Sequence, residues 1–217
     1  MDTDESRVLT DDVVEKLEAL IFDGKYRPGE KLREQLLADE LGVSRGPLRE
    51  AIRTLEGRRL LERTPRAGVQ VVGVSLSDLE QILVTREALE GMAARQAAEN
   101  MTSAEVNALR SGMLELESHP QDVSVAVFNA GPDNDFHRLI AKGSRNRWLE
   151  NILVKDVYSL LRLYRMQAAR RPDATHRLSE HHAIIDCIQA RDGEGAEAAM
   201  RAHLQRSRVR MLKAAAG

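Results

Sequence analysis

The apolar positions of the chain follow two regimes that change near residues 73–77. Over residues 11–23, Val13, Val14, Leu17, Leu20 and Ile21 recur at helical spacing and Gly24 closes the run, which predicts an amphipathic helix. Pro28-Gly29 reads as a turn. A short helix is expected over 34–41, with Leu36, Leu37 and Leu41 on its apolar stripe and Gly42 as its stop. Ser44 is placed to cap a third helix, whose inner face carries Leu48, Ala51, Ile52 and Leu55. After Gly57 the spacing shortens. Leu60 and Leu61 precede Thr64-Pro65-Arg66-Ala67-Gly68, and Val69, Val71 and Val72 follow, which predicts a small β-hairpin. From Ser77 onward only helical spacing recurs, over roughly 77–99, 103–117, 121–142 (interrupted at Gly131-Pro132), 146–170, 175–192 and 194–214. Ser77 with Glu80, and Thr102 with Glu105, have the spacing of reciprocal helix caps. The expected fold is mainly α: a helix-turn-helix unit with a small β-hairpin over 8–74, then an antiparallel all-α bundle of about six helices over 77–214.

Composition narrows the function classes. Of 217 residues, 42% are hydrophobic and 30% charged, a globular balance, and no apolar run approaches the ~18 residues of a membrane span. Aromatics make up only 3%, which disfavours stacking platforms for single-stranded nucleic acid. The start, Met1-Asp2-Thr3-Asp4-Glu5, is acidic where a signal peptide would be basic and then apolar. The single cysteine, Cys187, has no internal disulfide partner, which fits a reducing cytoplasm. With a net charge of -2, any site for a polyanion must be a local patch.

Such a patch lies in the N-terminal unit. Leu36-Leu37-Ala38-Asp39-Glu40-Leu41-Gly42-Val43-Ser44-Arg45 has the form of helix, tight glycine turn, second helix. On the outer face of the third helix, Arg45, Arg49 and Arg53 follow at i, i+4 and i+8. Between residues 42 and 70 seven arginines face three glutamates, a local +4. Arginines near a helix N-terminus attract phosphates and can fork onto guanine in a major groove. The plainer alternative is a solvated face with Glu50 and Glu56 as ion-pair partners. The run Leu41-Gly42-Val43-Ser44-Arg45-Gly46-Pro47-Leu48-Arg49-Glu50-Ala51-Ile52 resembles the winged helix-turn-helix of GntR-type bacterial transcription regulators. Gly46 stands where that pattern usually has Thr, and Ala67-Gly68 after Arg66 is similar to the tip of the wing. The resemblance implies operator contacts by Arg45 and Arg49 above all, then Ser44, Arg66 and Gly68.

The helical half contains the second chemistry. Asp133 and His137 stand four apart and share a helix face, so they can meet one cation. His181 shares the stripe of Leu178, Ile184, Ile185 and Ile188 and is expected inside, while His182, about 100° away, belongs at the rim. His203 follows Ala196, Ala199, Met200 and Ser207 inward. Phase alone leaves open whether these are ligands or hydrogen-bonded core histidines. The stretches Asp133-Asn134-Asp135-Phe136-His137, Glu180-His181-His182-Ala183-Ile184-Ile185 and Met200-Arg201-Ala202-His203-Leu204 resemble the effector domain of the FadR subfamily, the FCD domain. That resemblance implies a divalent cation held by Asp133, His137, His181 and His203. An imidazole-rich set suits zinc or nickel and tolerates manganese.

Open positions on such a cation suit a small carboxylate, steadied by a cationic side chain. Arg86, on a helix similar to the family's first effector-domain helix, is the leading candidate; its alternative is a surface partner for Glu90 at i+4. Tyr158 and Arg162 are further candidates. The expected function is a cytoplasmic, homodimeric repressor-type transcription regulator, with double-stranded operator DNA and a small carboxylate effector as partners. Two other readings stand beside it. One is a regulator with structural histidines and a metal-independent ligand. The other is a metallohydrolase with a DNA-targeting head, disfavoured because H-E-x-x-H is absent and no spare acid or base is expected beside the ligands; Glu180 is out of phase with His181.

Overall fold

A computed structural model describes residues 2–64, 68–118, 136–167 and 177–216. The chain divides into two compact units, Met1–Ser75 with Ser159–Ala168, and Leu76–Tyr158 with Ala169–Gly217. Among the described residues no helix is long and apolar enough to cross a membrane.

The first unit is built from α1 (Asp2–Phe22), β1 (Lys31–Leu32), α2 (Glu34–Leu41), α3 (Arg45–Gly57), β2 (Leu61–Thr64) and β3 (Gly68–Val71). Helix α1 starts well before the expected residue 11. Its apolar stripe, Val13, Leu17 and Ile21, is buried, as are Leu48, Ile52 and Leu55 of α3, and these two helices pack together. Gly42 adopts φ +66, the left-handed conformation that suits glycine, and its N–H closes α2. Two details of the expected pattern differ. Leu36 is exposed, the inner face of α2 being Leu37 and Ala38. Ser44 occupies the N-cap of α3 with extended backbone but makes no side-chain cap bond.

The expected hairpin is there, with Leu61 opposite Val71 and Thr64 opposite Gly68, but it belongs to a three-stranded antiparallel sheet of order β1-β3-β2. The added strand pairs Lys31 with Gln70 and Leu32 with Val69. Alternation buries Val69 and Val71 toward the helices. Residues 65–67, and with them Arg66, lie outside the described residues. Part of a later helix joins this unit: the backbone N–H of Val74 donates to Gln167 Oε1 at 3.0 Å.

The second unit is helical: α4 (Leu76–Asn100), α5 (Ser103–Ser118), α6 (Phe136–Gly143), α7 (Arg147–Asn151), α9 (Arg177–Gln189) and α10 (Gly193–Ala216). Helix α7 runs through a π-helical segment, Ile152–Val157, into α8 (Tyr158–Gln167), so the single helix expected over 146–170 has a widened middle. Residues 119–135, which include Gly131-Pro132 and Asp133, lie outside the described residues. The Thr102/Glu105 reciprocal cap forms, with Thr102 N–H to Glu105 Oε2 at 2.9 Å and Glu105 N–H to Thr102 Oγ1 at 3.3 Å. At the other expected cap α4 begins at Leu76, one residue ahead of Ser77. The inner face of α4 carries Ala93, Ala94, Ala97 and Ala98, all fully buried, and small residues there let α10 lie closely along it.

Candidate functional site

The arginine-rich face of the first unit is set by α3. Its buried side fixes rotation, so Ser44, Arg45, Arg49 and Arg53 face solvent. Gly68, with φ +87, sits exposed at the start of β3. The arginines are held rather than loose. Arg45 donates to Gln35 Oε1, and Arg49 Nε to Glu34 Oε2 at 3.2 Å. Arg63 reaches Glu34 Oε1 at 3.3 Å and Glu56 Oε1 at 3.1 Å, and Arg53 pairs with Glu50 at 2.8 Å. Partial burial would raise the Glu34 carboxyl, but bonds from Arg49 and Arg63 outweigh it and hold it below the usual value. Glu34 and Gln35 were absent from the expected face because they enter from the first turn of α2, a different helix.

In the second unit three imidazoles from three helices converge. His137 of α6, His181 of α9 and His203 of α10 are all buried, and one ligating atom from each lies within 4.8 Å of the others. His181 Nε2 and His203 Nε2 are 3.3 Å apart. Two nitrogens about 2.0–2.1 Å from one cation, at an angle between about 90° and 110°, would be about 2.8–3.4 Å apart, so this pair fits a shared metal. His182 is half-buried at the rim, as its phase predicts. Asp133, the expected carboxylate ligand, lies outside the described residues.

Each ring is also fixed from behind. His137 Nδ1 stands 2.6 Å from Glu90 Oε2, and His203 Nδ1 stands 2.6 Å from Glu180 Oε2. The His181 ring stacks on Phe136, with centroids 4.1 Å apart and planes 17° from parallel. Burial would raise the Glu90 carboxyl, yet the adjoining Arg86 and His137 hold it far below the usual range. Burial above all, with the neighbouring His137, pushes His203 down to about 3 despite the Glu180 bond, so its ring is neutral near pH 7 and able to ligate. Glu180 also stays below its usual value because bonds from Arg206, His203 and Arg210 outweigh its burial.

These carboxylates correct two expectations. Acids do stand beside the histidines, although they occupy the far sides of the rings and are already engaged. The Arg86–Glu90 pair forms at i+4, Nε to Oε1 at 2.5 Å, but inside the unit rather than on its surface. The Arg86 guanidinium lies 5.9 Å from the centre of the Tyr158 ring, with that of Arg138 at 5.8 Å. Arg162 belongs to the other unit, where its guanidinium sits 4.2 Å over the Phe22 ring.

Residues 9–71 match the family description "Bacterial regulatory proteins, gntR family", and residues 81–206, more than half of the chain, match "FCD domain". This chain belongs to the GntR family of transcription regulators, with an FCD domain. The HTH-type transcriptional regulator YdhC of Bacillus subtilis is 30% identical to it, over 87% of this chain and 84% of that protein. The galactonate operon transcriptional repressor of Escherichia coli is 29% identical, over 88% and 91%. McbR/YncC of Escherichia coli has the same fold, with a TM-score of 0.72 at 23% identity over 96% of this chain and 99% of that one. The GntR-family relatives are transcription regulators rather than enzymes, which sets the metallohydrolase reading aside.

Proposed function

We propose that this GntR-family regulator is a cytoplasmic homodimer. Its two winged heads grip a near-palindromic operator, and its operator affinity is controlled by a small carboxylate bound at a divalent cation in the FCD unit. The observation that carries this reading is the convergence of three buried imidazoles on one point. His137, His181 and His203 would hold the cation, with Asp133 as the fourth ligand by family resemblance. Zinc or nickel suits this donor set, and manganese is tolerated. The cation supplies positive charge and open positions for a carboxylate. Arg86 and Tyr158, whose ring and guanidinium are neighbours, would border the bound anion. At the head, Arg45 and Arg49 would read base edges, while Ser44, Gly68 and Arg66 would meet the backbone and minor groove. The relative named as a galactonate operon repressor supports repression as the mode.

A regulatory effect requires that the effector favour one of two states differing in operator affinity. The test is operator titration with and without lactate-like, sugar-acid and dicarboxylate ligands and added metal, alongside metal analysis of the purified protein. The expected result is bound metal and an operator affinity that one ligand class changes. Unchanged affinity across the panel refutes effector control. His203→Ala should lower metal content and abolish the response while leaving basal operator binding, and full metal occupancy would refute the ligand assignment. A second reading, an FCD unit with structural histidines and a metal-free ligand, is favoured by the carboxylate bonds that already engage one nitrogen each of His137 and His203. Metal-free protein that still answers to an effector would establish it.

A further inference from the structure

The two carboxylates behind the rings have a pattern that the ligand set alone does not require. Glu90 is on α4 and its imidazole on α6; Glu180 is on α9 and its imidazole on α10. Both contacts use Nδ1, and both are 2.6 Å. An ionised carboxylate only accepts, so in each pair Nδ1 carries the proton. A neutral imidazole has one ring proton, which leaves Nε2 with a lone pair, and in His203 that Nε2 is the atom facing His181. His181 has a different support, the stack on Phe136.

We propose that Glu90 and Glu180 are positioning residues for the cation centre, each taking the Nδ1 proton of one imidazole and so turning that ring's Nε2 toward the shared point. This rests on the metal-binding reading above. Each acid is also held by arginines: Glu90 Oε1 by Arg86, and Glu180 by Arg206 at 2.5 Å and Arg210 at 3.4 Å. The rival account is that the acids are there only to neutralise those arginines. Glu180 separates the two accounts, because its side chain is 12% exposed and its arginines can be removed independently.

The experiment measures zinc affinity of the full-length protein by competition with a chromophoric chelator, in the wild type, Glu180→Gln, Glu180→Leu and the double variant Arg206→Ala/Arg210→Ala. Loss of an outer partner of a ligating histidine typically weakens metal binding by about 10–100-fold. Glu180→Leu should fall in that range. Glu180→Gln, whose amide oxygen still accepts from Nδ1, should lie between it and wild type, and the double arginine variant should stay within about twofold of wild type. Thermal melts of the metal-free variants confirm that each is folded. The proposal is overturned if Glu180→Leu binds zinc as tightly as wild type, or if removing the arginines weakens binding as much as removing the carboxylate. Wild-type protein that takes up no zinc, nickel or manganese overturns the metal reading itself, and this proposal with it.

Discussion

Glu90→Gln is the most informative single change for the FCD unit's stability. The Glu90 side chain is 1% exposed and that of Arg86 5%, so neither charge can turn to water. One carboxylate oxygen takes the Arg86 Nε–H at 2.5 Å, and the other faces His137 Nδ1 at 2.6 Å. A glutamine has nearly the same shape but only one acceptor oxygen. Turned one way, its amide N–H opposes the Arg86 Nε–H; turned the other, it faces His137 Nδ1, which must then give up its proton to accept, and either way Arg86 loses the negative charge of Glu90. Breaking a buried pair from one side costs about 3–5 kcal/mol, against about 1 kcal/mol or less for an exposed pair. Urea unfolding of metal-free protein, followed by far-UV circular dichroism, reads this as a lower midpoint at an unchanged slope. Arg86→Met/Glu90→Met, which removes both charges, should lose less than the sum of the two single changes. A loss below about 1 kcal/mol in Glu90→Gln would refute the picture of a sealed, mutually dependent triad.

Three further outcomes are expected. In metal-free protein the folded His203 value of about 3 lies below the ordinary 6.5, so as pH falls through that window the unfolded chain binds a proton that the folded chain refuses. Stability from this residue is therefore intact above about 6.5 and is lost on acidification by up to about 1.4 kcal/mol per pH unit; pH-dependent urea melts of wild type and His203→Gln check this, and identical slopes would sink it. Arg49→Ala should weaken operator binding by about 1–3 kcal/mol in fluorescence anisotropy if it makes a bidentate base contact, with an unchanged circular dichroism spectrum. Gly42→Ala meets no atom within 4 Å, so its cost is the backbone strain at φ +66 alone, about 1–2 kcal/mol by thermal melt.

Much of this organisation was legible in the sequence because it is periodic. A helix that repeats about every 3.6 residues states which face is inside, and that logic placed Leu48, Ile52 and Leu55 in the core and Arg45, Arg49 and Arg53 outside. The same logic turned His181 and His203 inward and His182 to the rim. Strand β1 escaped because two residues, Lys31 and Leu32, carry no period; it is recruited by pairing with β3. The carboxylates escaped for a related reason. Phase correctly separates Glu180 from His181 on their own helix, yet it says nothing of which neighbour fills the space Glu180 faces. That neighbour is His203, 23 residues on, and the partner of Glu90 is His137, 47 residues on.

Arg86 and Glu90 show where local reasoning stops. Their i+4 spacing predicts contact on any helix. Whether that contact is a solvated pair of little energetic consequence, or a buried pair on which a histidine depends, is decided by the chain packed over it. Here α6 brings His137 against Glu90, and both members of the pair lie inside. One four-residue spacing is thus compatible with opposite energetic roles, and only tertiary context selects between them. A double-mutant cycle between Glu90 and His137 measures that selection directly: coupling near zero would mean that the histidine does not depend on Glu90, whereas about 1–3 kcal/mol is expected if the triad acts as one unit.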